Sequence, residues 1–85
     1  MASAKVLLLN DNRTTMEFVV HVLEEIFGKT RDDAIRLVVN IDEDGSGVCG
    51  VYAPEQAWNI AETVTQLARQ YHYPLRCLIE PDLTA

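Results

Sequence analysis

The chain has 85 residues, with seven Lys and Arg against thirteen Asp and Glu and a formal net charge of −6. This length supports one domain with a compact core, and a 48% hydrophobic share excludes a disordered chain. The acidic balance argues against nucleic acid and anionic membranes as partners, because both bind basic faces. A cationic ligand group is the better expectation.

The sequence predicts a soluble, cytoplasmic protein. The longest apolar run, residues 6–9, is far short of the roughly 20 residues that span a bilayer, and residues 1–4 show no signal-peptide pattern. Cys49 and Cys77 lie in apolar, strand-like runs with no His or Cys at metal-ligand spacing. A disulfide between them is one interpretation, but two buried thiols in a reducing compartment agree better with this pattern.

The first third of the chain predicts a strand, a turn and a helix. Residues 5–10 form a short apolar run, and the Asn and Asp residues after it favour a turn. Thr14 and Glu17 have the spacing of a capping box, and apolar residues then repeat at helical intervals as far as Phe27. Gly28 supplies the left-handed conformation that ends a helix.

A second helix begins at Thr30, with two aspartates in its first turn, where the helix dipole favours anions. Residues 42–47 form a predicted polar turn, and residues 47–53 a second strand. A third helix then starts at Pro54 and continues to about residue 71.

Residues 75–80 form the third strand, so the predicted element order is βααβαβ. This order predicts an α+β fold, a small two-layer sandwich in which three helices cover one face of a three-stranded antiparallel sheet. We expect a single domain, with residues 1–4 as a short N-terminal arm and residues 81–85 as a loose tail.

The sequence gives no signal for catalysis or metal binding. No nucleophile elbow, phosphate loop or dinucleotide fingerprint occurs, and neither His21 nor His72 stands beside a Ser or Cys nucleophile. Residues 40–45 imitate the start of a calcium loop, but Val51 stands where the bidentate Glu is needed. We therefore predict that the protein is not an enzyme and binds no metal.

The most informative stretch follows the first predicted strand. Asn10 and Asp11 are short polar residues at a strand end beside a helix N-terminus, and Met16 and Val19 follow about one helical turn apart. Such a corner places hydrogen-bond acceptors at the rim of an apolar hollow. A plain Asx turn with a helix cap has the same spacing.

Four segments together resemble the ClpS family of protease adaptors: residues 7–28 (LLLNDNRTTMEFVVHVLEEIFG), 31–41 (RDDAIRLVVNI), 47–57 (GVCGVYAPEQA) and 73–77 (YPLRC). The resemblance covers nearly the whole chain and implies the same sandwich fold, no cofactor and no metal. Members of this family are bacterial and plastid proteins that bind N-degrons, which are substrates whose N-terminal residue is Leu, Phe, Tyr or Trp. They deliver these substrates to the ClpA or ClpC unfoldase of the Clp protease. The resemblance favours a bacterial cytoplasmic protein, most simply a monomer.

The resemblance also implies the binding residues. Asn10 and Asp11 match the polar pair that hydrogen-bonds the α-amino group of the ligand, and Thr14 matches a hydroxyl at the pocket mouth. Met16 matches the residue that walls the pocket and excludes β-branched side chains. Further apolar positions line the wall and floor: Leu9, Val19, Leu23, Ile41 and Leu75.

Asp42 departs from the family pattern, because it replaces a histidine that normally contributes to holding the α-amino group. We expect Asp42 to face the amine together with Asp11, and their repulsion to raise the pKa of one of the two carboxyl groups. Two other function classes compete with this interpretation. One is a structural docking module of the same fold, and the other is a metal-binding or redox protein that uses Asp42, Asp44 and the two cysteines.

Overall fold

A computed structural model describes residues 2–82 as a three-stranded sheet with three helices. The elements are β1 (Ser3–Leu9), α1 (Met16–Glu25), α2 (Arg31–Asp44), β2 (Ser46–Tyr52), α3 (Pro54–Gln70) and β3 (Arg76–Asp82). The central strand β1 pairs antiparallel with both neighbours, in the order β2-β1-β3. The predicted fold class and element order are confirmed. Within the described residues, no helix has the length and apolarity needed to cross a membrane.

The two faces of the sheet differ in burial. Val6 and Leu8 of β1 are fully buried and belong to the core cluster formed with the helices. Because side chains alternate along a strand, Leu7 lies on the opposite face. Its two partners there, Val48 of β2 and Leu78 of β3, are 45% and 42% exposed. The helices therefore cover one face of the sheet, as predicted, whereas the other face carries exposed apolar residues, although Leu7 itself is buried.

Both strands at the chain ends are longer than the sequence indicated. β1 begins at Ser3, inside the stretch expected to be an arm, and β3 includes Pro81 and Asp82 from the expected tail. Antiparallel pairing with β1 explains the extension, since Ser3 pairs with Asp82 and Ala4 with Pro81. Residues 83–85 of the predicted tail lie outside the described residues.

The first helix begins one residue later than predicted. Thr15, not Thr14, is the N-cap of α1, and its hydroxyl accepts a hydrogen bond from the Phe18 amide at 3.2 Å. The reason is that Thr14 is already bound to Asp11, whose carboxylate accepts from the Thr14 hydroxyl at 2.8 Å. Thr30 caps α2 as predicted, and its hydroxyl accepts from the Asp33 amide at 3.2 Å.

The second helix extends through the first half of the predicted polar turn. α2 continues to Asp44, and Gly45 ends it in the left-handed conformation with φ 88°. The acidic residues 42–44 remain helical because Gly45 is the first residue that readily adopts positive φ. Their position on a helix also removes the loop geometry that a calcium loop requires.

The ends of the other two helices depend on positive φ values. Gly28 has φ 68° as predicted, and the Lys29 amide beyond it donates to the Leu23 carbonyl at 2.9 Å. After α3, His72 adopts φ 62°, and the Tyr73 amide donates to the Ala68 carbonyl at 2.8 Å. This closure is a Schellman motif with histidine at the position that glycine usually occupies.

Replacing His72 with Gly is expected to stabilise the protein. A left-handed conformation costs a non-glycine residue about 1–2 kcal/mol, of which the entropy of glycine offsets roughly half. We expect His72→Gly to raise the thermal midpoint by a few degrees, as measured by circular dichroism. His21→Gly, in the exposed middle of α1, is the matched control and should lower it. A lower midpoint for His72→Gly would contradict this account of the α3 end.

The two cysteines are free thiols, as predicted. Cys49 is buried in the core cluster, and its sulfur contacts the Gly47 carbonyl at 3.5 Å. Burial raises the pKa of Cys49 to about 12 and that of Cys77 to about 11. Both side chains are therefore protonated at neutral pH and act as small apolar residues.

Candidate functional site

The loop between β1 and α1 is organised by one carboxylate. One oxygen of Asp11 accepts from the amides of Arg13 at 2.8 Å and Thr14 at 2.6 Å. The other oxygen accepts from the Thr14 hydroxyl at 2.8 Å. Three of roughly four acceptor positions on the carboxylate are thus used inside the loop. Asp11 therefore holds the loop, and little of its acceptor capacity is left for a ligand.

The pKa of Asp11 is lowered, whereas repulsion from a second carboxylate would raise it. Partial burial on its own would raise the pKa of Asp11, but the hydrogen bonds from Thr14 and Arg13, with the nearby guanidinium charge, outweigh it. The net result is that the pKa of Asp11 lies below its ordinary value. Repulsion between the two carboxylates was expected to raise one pKa, and the pKa of Asp11 is lowered instead.

The end of α2 lies against the start of the same loop. The Asn10 amide donates to the Gly45 carbonyl at 2.8 Å, and Leu9 pairs with Ser46 just before it. Asp42 is three residues before Gly45, in the last turn of α2, and its side chain is exposed, as is that of Asn10. The structure thus joins the loop and the helix end that carry these two polar side chains.

The predicted apolar residues come from four parts of the chain: β1, α1, α2 and the segment before β3. Four of them are buried in one core cluster: Val19, Leu23, Ile41 and Leu75. Leu23 is fully buried, whereas the other three keep a small exposed fraction. Met16, in the first turn of α1, is 59% exposed. The predicted apolar set therefore consists of buried residues and one exposed side chain, that of Met16.

Leu9 is a correction to the predicted floor. It follows Leu8 on β1, and strand alternation places it with Leu7 on the face of the sheet away from the helices. Leu8, which is fully buried in the core cluster, occupies the side of β1 that faces the helices. The apolar run at residues 7–9 did not reveal which leucine faces which side.

Comparison with known proteins decides the family. The model of the ATP-dependent Clp protease adaptor protein ClpS matches residues 2–78. The ClpS adapter of Gluconobacter oxydans is 51% identical over 92% of this chain, and that of Phenylobacterium zucineum is 48% identical over 95%. The chain belongs to the ClpS family. It spans 66% and 74% of the lengths of these two relatives.

A solved structure of the same family has a closely similar fold. The structure of Agrobacterium tumefaciens ClpS2 bound to L-phenylalaninamide superposes with a TM-score of 0.91 and 34% identity. The match covers 94% of this chain and 96% of that one. The fold of this ClpS family member is therefore shared over nearly its whole described length.

Gly47 supports this region, although the sequence did not mark it as a site residue. A Cβ atom at position 47 would lie 2.8 Å from Cγ1 of Ile41 and 3.2 Å from Cδ1 of Leu37. The absence of a side chain at this position of β2 therefore lets Ile41 and Leu37 of α2 pack closely against the strand. The sequence has glycines at positions 45 and 47, but only a turn was predicted from them.

Gly47→Ala is expected to disturb both stability and the position of Ile41. A new methyl group against the helix requires side-chain or backbone shifts that typically cost about 1–3 kcal/mol. Urea unfolding should show this loss, while Ser46→Ala, at the adjacent position of β2, should change stability much less. Equal stabilities for Gly47→Ala and Ser46→Ala would show that α2 has room to move.

Tyr73 is a second residue that the sequence did not single out. Its ring centroid lies 4.7 Å from that of Phe18, and its hydroxyl accepts from the Thr15 hydroxyl at 3.3 Å. These contacts tie the start of α1 to the segment that carries Leu75. The indication in the sequence was that His72 lies between two aromatic residues, Tyr71 and Tyr73.

The described residues give no alternative metal chemistry. Across residues 2–82, no three His, Cys, Asp or Glu side chains are grouped so that they could hold a metal ion. Asp42 and Asp44, which were considered as ligands, are exposed residues of α2, whereas Cys49 is a buried residue of β2. The metal interpretation therefore has no assembled site in this part of the chain.

Proposed function

We propose that this ClpS family member is a non-catalytic adaptor that binds the free N-terminus of proteins beginning with Leu, Phe, Tyr or Trp. The observation that carries the proposal is the similarity to ClpS2 bound to L-phenylalaninamide. That molecule has a free α-amino group, an aromatic side chain and an amide in place of the first peptide bond. It therefore has the chemistry of an N-terminal Phe residue.

Two groups of residues support binding of such a ligand. The free α-amino group has a pKa of about 7.7–8.0 and is mostly a cation at neutral pH. Asn10 and Asp42 provide exposed oxygen acceptors for it, with Asp11 and Thr14 holding the loop. Charge-assisted hydrogen bonds are roughly twice as strong as neutral ones.

The ligand side chain would enter the apolar region behind Met16, in contact with residues such as Val19, Ile41 and Leu75. Burial of a Leu or Phe side chain contributes about 1.5–3 kcal/mol. The exposed Met16 side chain is free to close over an unbranched ligand, as the resemblance implies for its position. Affinity should therefore require both the amine and the bulky side chain.

Fluorescence anisotropy with labelled peptides that differ only in the first residue tests this proposal. The panel contains Phe, Leu, Tyr, Trp, Ile and Ala, together with N-acetylated Phe. We expect tight binding of the four bulky unbranched residues and weak binding of Ile and Ala. Acetylation should abolish binding, because each rim acceptor left unpaired costs about 1–3 kcal/mol. Equal binding across the panel would overturn the proposal in favour of a docking module without a peptide site.

The second part of the proposal is delivery to a ClpA- or ClpC-type unfoldase in the bacterial cytoplasm. Delivery requires a protein-binding surface outside the peptide site. Trp58 on α3 is 67% exposed and lines a groove of about 520 Å³ between α3 and β3, together with Ala61 and Thr65. Tryptophan is enriched at the centres of protein interfaces.

Trp58→Ala is expected to separate the two parts of the function. Peptide affinity should stay unchanged, while binding to a purified ClpA- or ClpC-type unfoldase should weaken at least about tenfold, since interface hot spots contribute 2 kcal/mol or more. Surface plasmon resonance measures the second quantity. Gln56→Ala, also exposed on α3, is the matched control. Unchanged unfoldase binding by Trp58→Ala would remove this surface from the proposal.

A further inference from the structure

A groove runs along the outer surface between α1 and α2. Met16, Val20 and Glu24 line its α1 side at intervals of four residues, together with the polar residues Glu17 and His21. Arg31 and Ile35 line its α2 side. Its volume is about 610 Å³, which lies within the usual range of ligand pockets. No part of the first-residue site other than Met16 contributes to it.

The groove has apolar residues at its base and on its α2 side, and an ion pair lies among the residues that line it. Val20 is buried at its base, while Ile35 remains 44% exposed beside it. The Arg31 guanidinium lies 3.6 Å from the Glu24 carboxylate, so these two charges compensate each other. An exposed apolar side chain flanked by a closed ion pair is suited to cover another apolar group.

Met16 connects the groove to the proposed binding site for the first residue. Successive helical residues are about 100° apart around the axis, so Val19 and Val20 lie on adjacent sides of α1. Val19 belongs to the proposed first-residue site, whereas Val20 lines the groove. Met16, in the first turn of α1, lies at the boundary between them and is one of the residues that line the groove.

We propose that the groove receives the substrate segment that follows the N-terminal residue, and that it takes one bulky apolar side chain from the third or fourth position. This inference rests on the proposed function, because the first residue must be anchored behind Met16. Residues 16 and 24 are about 12 Å apart along α1 at 1.5 Å per residue. An extended chain covers about 3.3–3.6 Å per residue, so three to four substrate residues span the groove, and its middle meets the third or fourth.

A leucine scan along a peptide tests this inference. The parent peptide is Phe-Ser-Gly-Ser-Gly-Ser-Lys with fluorescein on the lysine, and Leu replaces one residue at a time from position 2 to position 6. We expect Leu at position 3 or 4 to tighten binding about fivefold, which corresponds to burial of part of a leucine side chain. Leu at position 6 lies beyond the groove and should have no effect.

Two variants at equally exposed positions locate the effect. Ile35→Ser should remove the gain from leucine and leave the parent peptide unaffected, since Ile35 lies outside the first-residue site. Val48→Ser, on the face of the sheet away from the helices, changes a residue that is 45% exposed and should preserve the gain. Thermal unfolding checks that both variants fold.

The results distinguish failure of this inference from failure of the proposed function. A flat leucine scan, with the preference for Phe over Ala intact, would overturn the groove and leave the first-residue site in place. An equal gain at every position, or a gain that survives Ile35→Ser, would also overturn it by showing nonspecific apolar attraction. Loss of the Phe preference itself would overturn both.

Discussion

Asp42→Ala is expected to weaken binding of a Phe-initiated peptide about tenfold or more. The substitution removes a charged acceptor from the α-ammonium group, and hydrogen bonds to charged groups contribute about 1.5–3 kcal/mol. The free energy of unfolding should change by no more than about 0.5 kcal/mol, because Asp42 is an exposed residue in the last turn of α2. Anisotropy titrations and urea unfolding measure the two quantities separately.

Glu43→Ala provides the matched control for Asp42→Ala. Both variants remove one negative charge from neighbouring exposed positions of α2, but their side chains point about 100° apart around the helix. A general effect of the net charge of −6 would weaken binding equally in both, whereas a direct contact would affect only Asp42→Ala. Unchanged affinity in Asp42→Ala would contradict the role of this residue and leave Asn10 as the acceptor.

Asp42→His would test the departure from the family pattern directly. A histidine at this position can donate as well as accept, whereas the aspartate accepts only and adds charge. If the carboxylate serves as a charged acceptor, the histidine variant should bind more weakly than wild type at pH 6, where much of the imidazole is a cation that repels the α-ammonium group. The difference in affinity should narrow by about pH 7.5, where the neutral imidazole can accept a hydrogen bond from that group. Binding by the wild-type protein should change between pH 6 and pH 8 only because the peptide amine loses its proton in that range.

The fold was largely predictable from the sequence because its signals are local. Helical periodicity, Thr30 at an N-cap and Gly28 at positive φ all involve residues within a few positions of one another. The βααβαβ order then left few ways to bury three amphipathic helices on a small sheet.

The errors arose where a nonlocal contact or a competing hydrogen bond decided the structure. Thr14 was assigned as a cap because its spacing to Glu17 was suitable, but the Asp11 carboxylate binds the Thr14 hydroxyl. An apolar run of three leucines gave no alternation, so the orientation of Leu9 depended on pairing with two other strands. The support that Gly47 gives to Ile41 was likewise invisible before α2 and β2 were placed together.

Asp11→Ala is expected to loosen the binding loop and weaken peptide affinity together. The substitution removes the acceptor for the Arg13 and Thr14 amides and for the Thr14 hydroxyl. Loss of a side chain that caps backbone amides typically costs about 0.5–2 kcal/mol of stability. Peptide affinity should fall because Asn10, which precedes this turn, loses its fixed orientation. Asn12→Ala, at the exposed neighbour in the same loop, should change neither quantity.

The role of Asp11 in holding the loop predicts the direction in which the stability of the protein changes with pH. Because its pKa is lowered in the folded state, the ionised carboxylate stabilises the protein above the ordinary aspartate pKa of about 3.9. That stabilisation is lost as the pH falls through the lower folded pKa. Asp11→Asn keeps an oxygen for the two amides but has no charge, so it should be less stable than wild type at pH 7 and approach it below pH 4. Parallel stability curves for the two proteins from pH 7 to pH 3 would show that the charge of Asp11 does not hold the loop.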